Sequence, residues 1–191
     1  KDIVLAAVKN NGEALKFANL DAMEDDVFSQ AINKQEYNKK FGSFEGFKPN
    51  KDIVLAAVKN CGGALQHASD ALQADKDIVL AAVQNDCLTA VPDDGWALKY
   101  ASAALKNDKD VVLAAVQENG YVLEYVSSDL KNNKKIVLAA VKNYGRALDY
   151  ASAALKNDKD VVLAAVQKQV SGFRFASSAL KNNKDIVLAA V

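Results

Sequence analysis

Apolar and polar positions along this chain recur in blocks and do not alternate. A charged pair is followed by a run of apolar residues such as Ile3 to Val8, and the string Val-Leu-Ala-Ala-Val begins at Val4, Val54, Val79, Val112, Val137, Val162 and Val187. Successive starts lie 50, 25, 33, 25, 25 and 25 residues apart. The period is therefore 25, with one insertion at residues 87–94 and one decayed unit within residues 26–50. Self-similarity at a fixed period of this size is the mark of stacked supersecondary units. Units start at residues 1, 26 (degenerate), 51, 76 (carrying the insertion), 109, 134, 159 and, as a partial copy, 184, so residues 1–191 read as one repeat domain. The chain begins without Met and ends inside the pattern, and is expected to be an excerpt of a longer protein.

Within a unit the pattern predicts helix, turn, helix. In the first helix Asp108 is an N-cap, Asp110 sits in the first turn where the helix dipole favours a negative charge, and Gly120 is expected to take a left-handed C-terminal position. Asn133, Asp158 and Asn183 repeat the cap, while Gly12, Gly62, Gly95 and Gly145 repeat the stop. A run of six apolar residues covers the whole helix circumference, so the first helix is expected to be buried on all sides, and Leu113→Ala or Leu138→Ala to cost about 2 to 5 kcal/mol. The second helix, Arg146 to Leu155, puts Leu148, Leu155, Ala147, Ala151, Ala154 and Tyr150 on one arc and Arg146, Asp149 and Ser152 on the other. A strand is the competing reading of the Val-rich run, and the Ala pair, caps and glycine stops argue against it. Helices of about ten residues are marginal alone, so each hairpin depends on its neighbours. The expected fold is all-α, an α-solenoid of about seven stacked 25-residue helix-turn-helix repeats.

Composition narrows the function classes. With 24 basic and 24 acidic side chains the chain has no net field to attract nucleic acid or anionic lipid, and its apolar runs are too short to span a bilayer. A soluble, intracellular protein with no membrane span is expected. One histidine and two cysteines leave few candidates for catalysis or a metal site. No cofactor and no enzymatic activity are expected.

The units, typified by Leu105-Lys-Asn-Asp-Lys-Asp-Val-Val-Leu-Ala-Ala-Val-Gln-Glu-Asn-Gly-Tyr-Val-Leu-Glu-Tyr, resemble a bacterial tandem helical repeat family catalogued as domain of unknown function 4116. The resemblance covers nearly the whole chain apart from residues 26–50 and the insertion. It implies a helical repeat in proteins of bacteria that live inside eukaryotic cells, and hence a role at a host interface, either in the bacterial cytoplasm or after delivery into a host cell. It implies no catalytic residue.

Comparison of the units with one another separates frame from variation. Phe17, His67, Tyr100, Tyr125, Tyr150 and Phe175 share one position, so His67 reads as a rung of an aromatic packing ladder. Glu13, Gly63, Trp96, Tyr121, Arg146 and Ser171 share the position four residues earlier; Lys16, Gln66, Lys99, Glu124, Asp149 and Arg174 share the one just before the rung. Both sets are expected to face outward, either as a specificity surface or as a drifting solvated face. Leu88, Val91 and Pro92 of the insertion, Trp96 and Tyr121 are expected to form one partner-binding patch with Arg146 at its rim and Tyr100 and Tyr125 beneath it. Phe28, Phe41, Phe44 and Phe47 fill the decayed unit or form a second patch. Cys61 and Cys87 are expected to remain thiols, because repeat-equivalent helices about 9 to 10 Å apart exceed disulfide reach. Asp93-Asp94 and Glu24-Asp25-Asp26 read as turns and caps. The function expected is a noncatalytic protein-interaction scaffold, possible host proteins included among its partners, and part of a larger bacterial protein. The alternatives are a modular nucleic-acid reader, or the accessory arm of an enzyme whose site lies elsewhere.

Overall fold

In the computed structural model, residues 50–85 and 97–191 are described, together with Ala6, Lys9 and Asn10. Six first helices recur among the described residues, and each begins where a short polar side chain holds backbone N–H groups, two in every case but Asn50, which accepts from Ile53 alone. Asp108 accepts from Asp110 and Val111, Asp158 from Asp160 and Val161, and Asn133 from Lys135 and Ile136. Capping of this kind satisfies donors that a helix start otherwise leaves open. The eleven α-helices among the described residues are α1 (Lys51–Asn60), α2 (Asp70–Gln73), α3 (Lys76–Gln84), α4 (Ala97–Tyr100), α5 (Lys109–Glu118), α6 (Ser128–Lys131), α7 (Lys134–Asn143), α8 (Ala153–Lys156), α9 (Lys159–Lys168), α10 (Ser178–Lys181) and α11 (Lys184–Ala189). No strand occurs among the described residues.

The first helices α1, α3, α5, α7, α9 and α11 each pack on the next, forming one layer of an all-α solenoid. Ile136, Val137, Ala140 and Val141 of α7 are buried, as are their equivalents in α1, α3, α5 and α9. That face carries the core. Leu138 and Ala139, and the matching pairs from Leu55-Ala56 to Leu163-Ala164, are only half-buried. The expectation of a first helix buried on all sides is thus corrected: its neighbours cover two flanks and the second layer covers a third, but the side bearing Leu138 stays open.

The second helix is also corrected. In four units it is not one helix but a six-residue 3-10 segment and a four-residue α-helix joined by a bend; in residues 97–107 it is α4 followed by a 3-10 turn, Leu105–Asn107. In the unit from residue 134 these are Gly145–Tyr150 and α8, with Ala151 extended between them. Ser152 makes the break. Its side chain caps the N–H of Leu155, and its own N–H donates to the carbonyl of Lys131 in the preceding unit at 3.0 Å. Ser127 and Ser177 do the same with Lys106 and Lys156. Leu148 and Leu155 reach the core as expected, whereas Ala154, placed on the apolar arc, is exposed.

The glycines act through close approach and not through a left-handed conformation. Gly145 opens its 3-10 segment, after the extended residue Tyr144. A Cβ on Gly145 would lie 2.5 Å from the carbonyl oxygen of Ala165 and 2.8 Å from Cβ of Gln169, both in the next unit. Gly120 meets Ala140 and Tyr144 in the same way. At the other end of the described array, Asn60 donates to the carbonyl of Lys9 at 3.2 Å, fifty-one residues away, so the helical stretch at Lys9 and Asn10 lies against α1. Residues 26–50, read from sequence as a decayed unit with Phe28, Phe41, Phe44 and Phe47, fall outside the described residues except for Asn50.

An ion-pair ladder joins the helix starts. Lys134 bridges Asp158 at 2.8 Å and Asp160 at 2.7 Å, and Lys51 and Lys76 bridge Asp75 and Asp77, and Asp108 and Asp110, in the same register. Hydrogen bonds from these lysines hold the carboxyls of Asp75, Asp108 and Asp158 below the usual carboxylate range.

Three outcomes follow from this packing. Gly145→Ala should cost about 1 to 3 kcal/mol by urea unfolding, since the neighbouring backbone must give way; a loss below about 0.5 kcal/mol would show slack at that contact. Leu148→Ala, fully buried, should cost about 2 to 5 kcal/mol, and Leu138→Ala less than half as much. Because the folded-state pKa values of the three aspartates are depressed, their contribution is present above the ordinary carboxylate pKa and is lost as pH falls through the folded-state values. The melting temperature should therefore drop on acidification below about pH 4. Asp158→Asn keeps the cap, as Asn133 and Asn183 do, so it should cost no more than about 1 kcal/mol at neutral pH and make the acid slope shallower.

Candidate functional site

Two surfaces of the array vary from unit to unit. On the second layer, Arg146, Asp149, Ser171 and Arg174 are exposed as the sequence reading requires, while Gln66, Lys99, Tyr121 and Glu124 are half-buried and Gly63 is buried. Tyr121 is engaged within the protein. Its ring stands edge-on to Tyr150 at 5.4 Å between centroids and tilted to Tyr144 at 6.1 Å. The Tyr150 hydroxyl, and after it the Glu124 carboxylate, push the Tyr121 phenol above its ordinary pKa. Tyr100 and Tyr125 pack half-buried against the core, and the Lys99 ammonium sits 5.7 Å from the Tyr100 ring centre. His67 is half-buried at the corresponding position. Of the six residues expected to form a partner patch, Leu88, Val91, Pro92 and Trp96 lie outside the described residues. Tyr121 and Arg146 are described, at equivalent positions of successive units. Asp93-Asp94 and Glu24-Asp25-Asp26 also lie outside.

The second surface is the open side of the first helices, which the sequence reading missed by wrapping apolar residues round the whole helix. Here Leu55, Leu80, Leu113, Leu138 and Leu163 form a half-buried stripe with an alanine beside each. Between α5 and α7 the stripe widens into a groove of about 850 Å³ whose walls include Leu113, Gln117, Lys135, Leu138 and Lys142. Asn143 closes one end: its amide donates to the carbonyls of Gln117 and Glu118, and its oxygen accepts from the N–H of Gly120 at 2.8 Å. The groove is thus braced by hydrogen bonds between units.

At one position of this face the charge follows the period with a single exception among the described helices. The second residue of each first helix reads Asp52, Asp77, Asp110, Lys135, Asp160 and Asp185. Lys135 and Lys142 are exposed and join no ion pair among the described residues. The signal for this site was present in the sequence as a single charge reversal within an otherwise constant column. No group of three or more His, Cys, Asp or Glu able to hold a metal occurs among the described residues.

One expectation about cysteine is overturned. Cys61 is disulfide-bonded, and the other cysteine of the chain, Cys87, lies outside the described residues. The expectation of thiols rested on the distance between helix axes. Units meet far more closely at helix ends, where the N–H of Gly62 donates to the carbonyl of Asn85 at 2.8 Å. No helix among the described residues is long and apolar enough to cross a membrane.

Comparison with known proteins gives a family without an assigned activity. The family described as Domain of unknown function (DUF4116) matches residues 50–89, 87–131, 108–156, 133–180 and 158–191, five overlapping copies in tandem. No curated protein and no solved structure matches the chain. The tandem matches cover residues 50–191, so the chain belongs to the DUF4116 family of repeats.

Proposed function

We propose that the array is a noncatalytic scaffold that presents an extended surface to a protein partner, and that it serves as the targeting or host-interaction region of a larger bacterial protein. The observation that carries this reading is the half-buried Leu-Ala stripe on the open side of the first helices. Apolar surface repeated along a rigid frame gains free energy when a partner covers it, and stacked repeats use such faces for extended contacts. The exposed variable residues Arg146, Asp149 and Arg174 on the second layer offer further contacts, one choice per unit.

The test is a capture experiment with the 191-residue chain and with Leu113→Gln plus Leu138→Gln. Both leucines are half-buried, so circular dichroism should show the helices retained. Loss of two apolar contacts should weaken a captured partner by at least about 2 kcal/mol, roughly thirtyfold, in a binding titration. Equal retention by the variant would remove the stripe from the function. Retention by the stripe variant together with loss in Trp96→Ala plus Tyr121→Ala would move the contact to the second layer.

A further inference from the structure

We propose that the groove between α5 and α7 accepts a short acidic segment of a partner protein, in which two carboxylates flank one apolar side chain. The proposal rests on the scaffold reading and adds the chemistry of what the scaffold holds. Lys135 and Lys142 are seven residues apart on α7, two helical turns or about 10 Å along the axis, with Leu138 between them on the same side. Leu113 of α5 faces Leu138 across the groove floor. A cation, an apolar slot and a second cation thus stand in line.

The ion-pair ladder shows that this junction differs from its neighbours. Each bridging lysine pairs with the first-turn acid of the next unit, and Lys51, Lys76 and Lys134 with its cap aspartate as well; Lys159, facing the cap Asn183, pairs with Asp185 alone. In the same register Lys109 falls opposite Asn133 and Lys135. The junction between α5 and α7 therefore gives up an ion pair and sets one lysine against another, a like-charge arrangement that opposes stacking. A repeat that breaks its own rule here, beside a groove whose walls include Leu113 and Leu138, has the composition of a site for anions.

The neighbouring units limit the length of that anion. Asp110 lies on one side and Asp160 on the other, each about one interhelix spacing, roughly 10 Å, from α7 and comparable with the screening length in physiological salt. A polyanion laid along the face would meet in both directions lysines that these acids already neutralise, Lys76 and Lys134. A segment with one carboxylate for Lys135 and one for Lys142 would not, and the leucines between them suit an apolar side chain and not a sugar-phosphate backbone.

The test titrates the 191-residue chain into a fluorescent peptide Glu-Ser-Leu-Ser-Glu, which when extended presents all three key side chains to one side, the two carboxylates about 13 Å apart. Comparison probes are Gln-Ser-Leu-Ser-Gln, Glu-Ser-Ser-Ser-Glu and a single-stranded oligodeoxynucleotide. The first peptide should bind at least tenfold more tightly than either comparison peptide at low salt and weaken as salt rises. Lys135→Asp should weaken it about tenfold without lowering the melting temperature, because six other units carry Asp at that position. Lys142→Gln should weaken it several-fold. Equal binding of the Glu and Gln peptides, indifference to Lys135→Asp, or no binding of any peptide would overturn the proposal. Tighter binding of the oligonucleotide would overturn it in favour of a nucleic-acid contact. Failure of the scaffold reading would be seen separately, as a captured partner indifferent to the paired leucine substitutions.

Discussion

Consecutive units touch at a point with no space for a methyl group, and the rest of the architecture depends on that contact. Where Gly120 and Gly145 open their 3-10 segments, the backbone of one unit lies against the carbonyl oxygens and Cβ atoms at the helix end of the next. So close an approach sets both separation and register. With register fixed, Ser127, Ser152 and Ser177 can each donate a backbone N–H to the preceding unit. The same register places Lys51, Lys76 and Lys134 opposite the aspartates of the following helix start. Each interaction is small and exposed, but each recurs with the period, which is how a solenoid accumulates stability from nearest-neighbour terms.

The same stacking leaves one side of every first helix uncovered. Neighbouring helices flank it, the 3-10 layer covers the side carrying Ile136, Val137, Ala140 and Val141, and nothing within the described array reaches over Leu138. Half-buried leucine in each helix from α1 to α9 of this layer is a consequence of having only two layers. On such a face the constant residues supply apolar area, and departures from the period supply chemistry; Lys135 in a column of aspartates is the clearest departure.

The sequence by itself determined the period, the first helices with their Asp and Asn caps, and the buried Leu148 and Leu155. Those features rest on local rules: a cap needs only its own turn, and self-similarity needs no structure at all. The break in the second helix was visible in principle, since Ser69, Ser102, Ser127, Ser152 and Ser177 recur at one position. On a helical wheel, however, serine on the polar side is indistinguishable from a solvated residue.

The tertiary structure alone decided which side of an all-apolar helix stays open, because a wheel with apolar residues all round has no preferred face until neighbours are placed. It alone gave the glycines their role, since the atoms that forbid a Cβ at Gly145 belong to Ala165 and Gln169, twenty and twenty-four residues further on. It also placed Cys61 in a disulfide, which the spacing of helix axes had argued against. In each case the deciding partner lies in another unit, at a distance that sequence spacing does not encode.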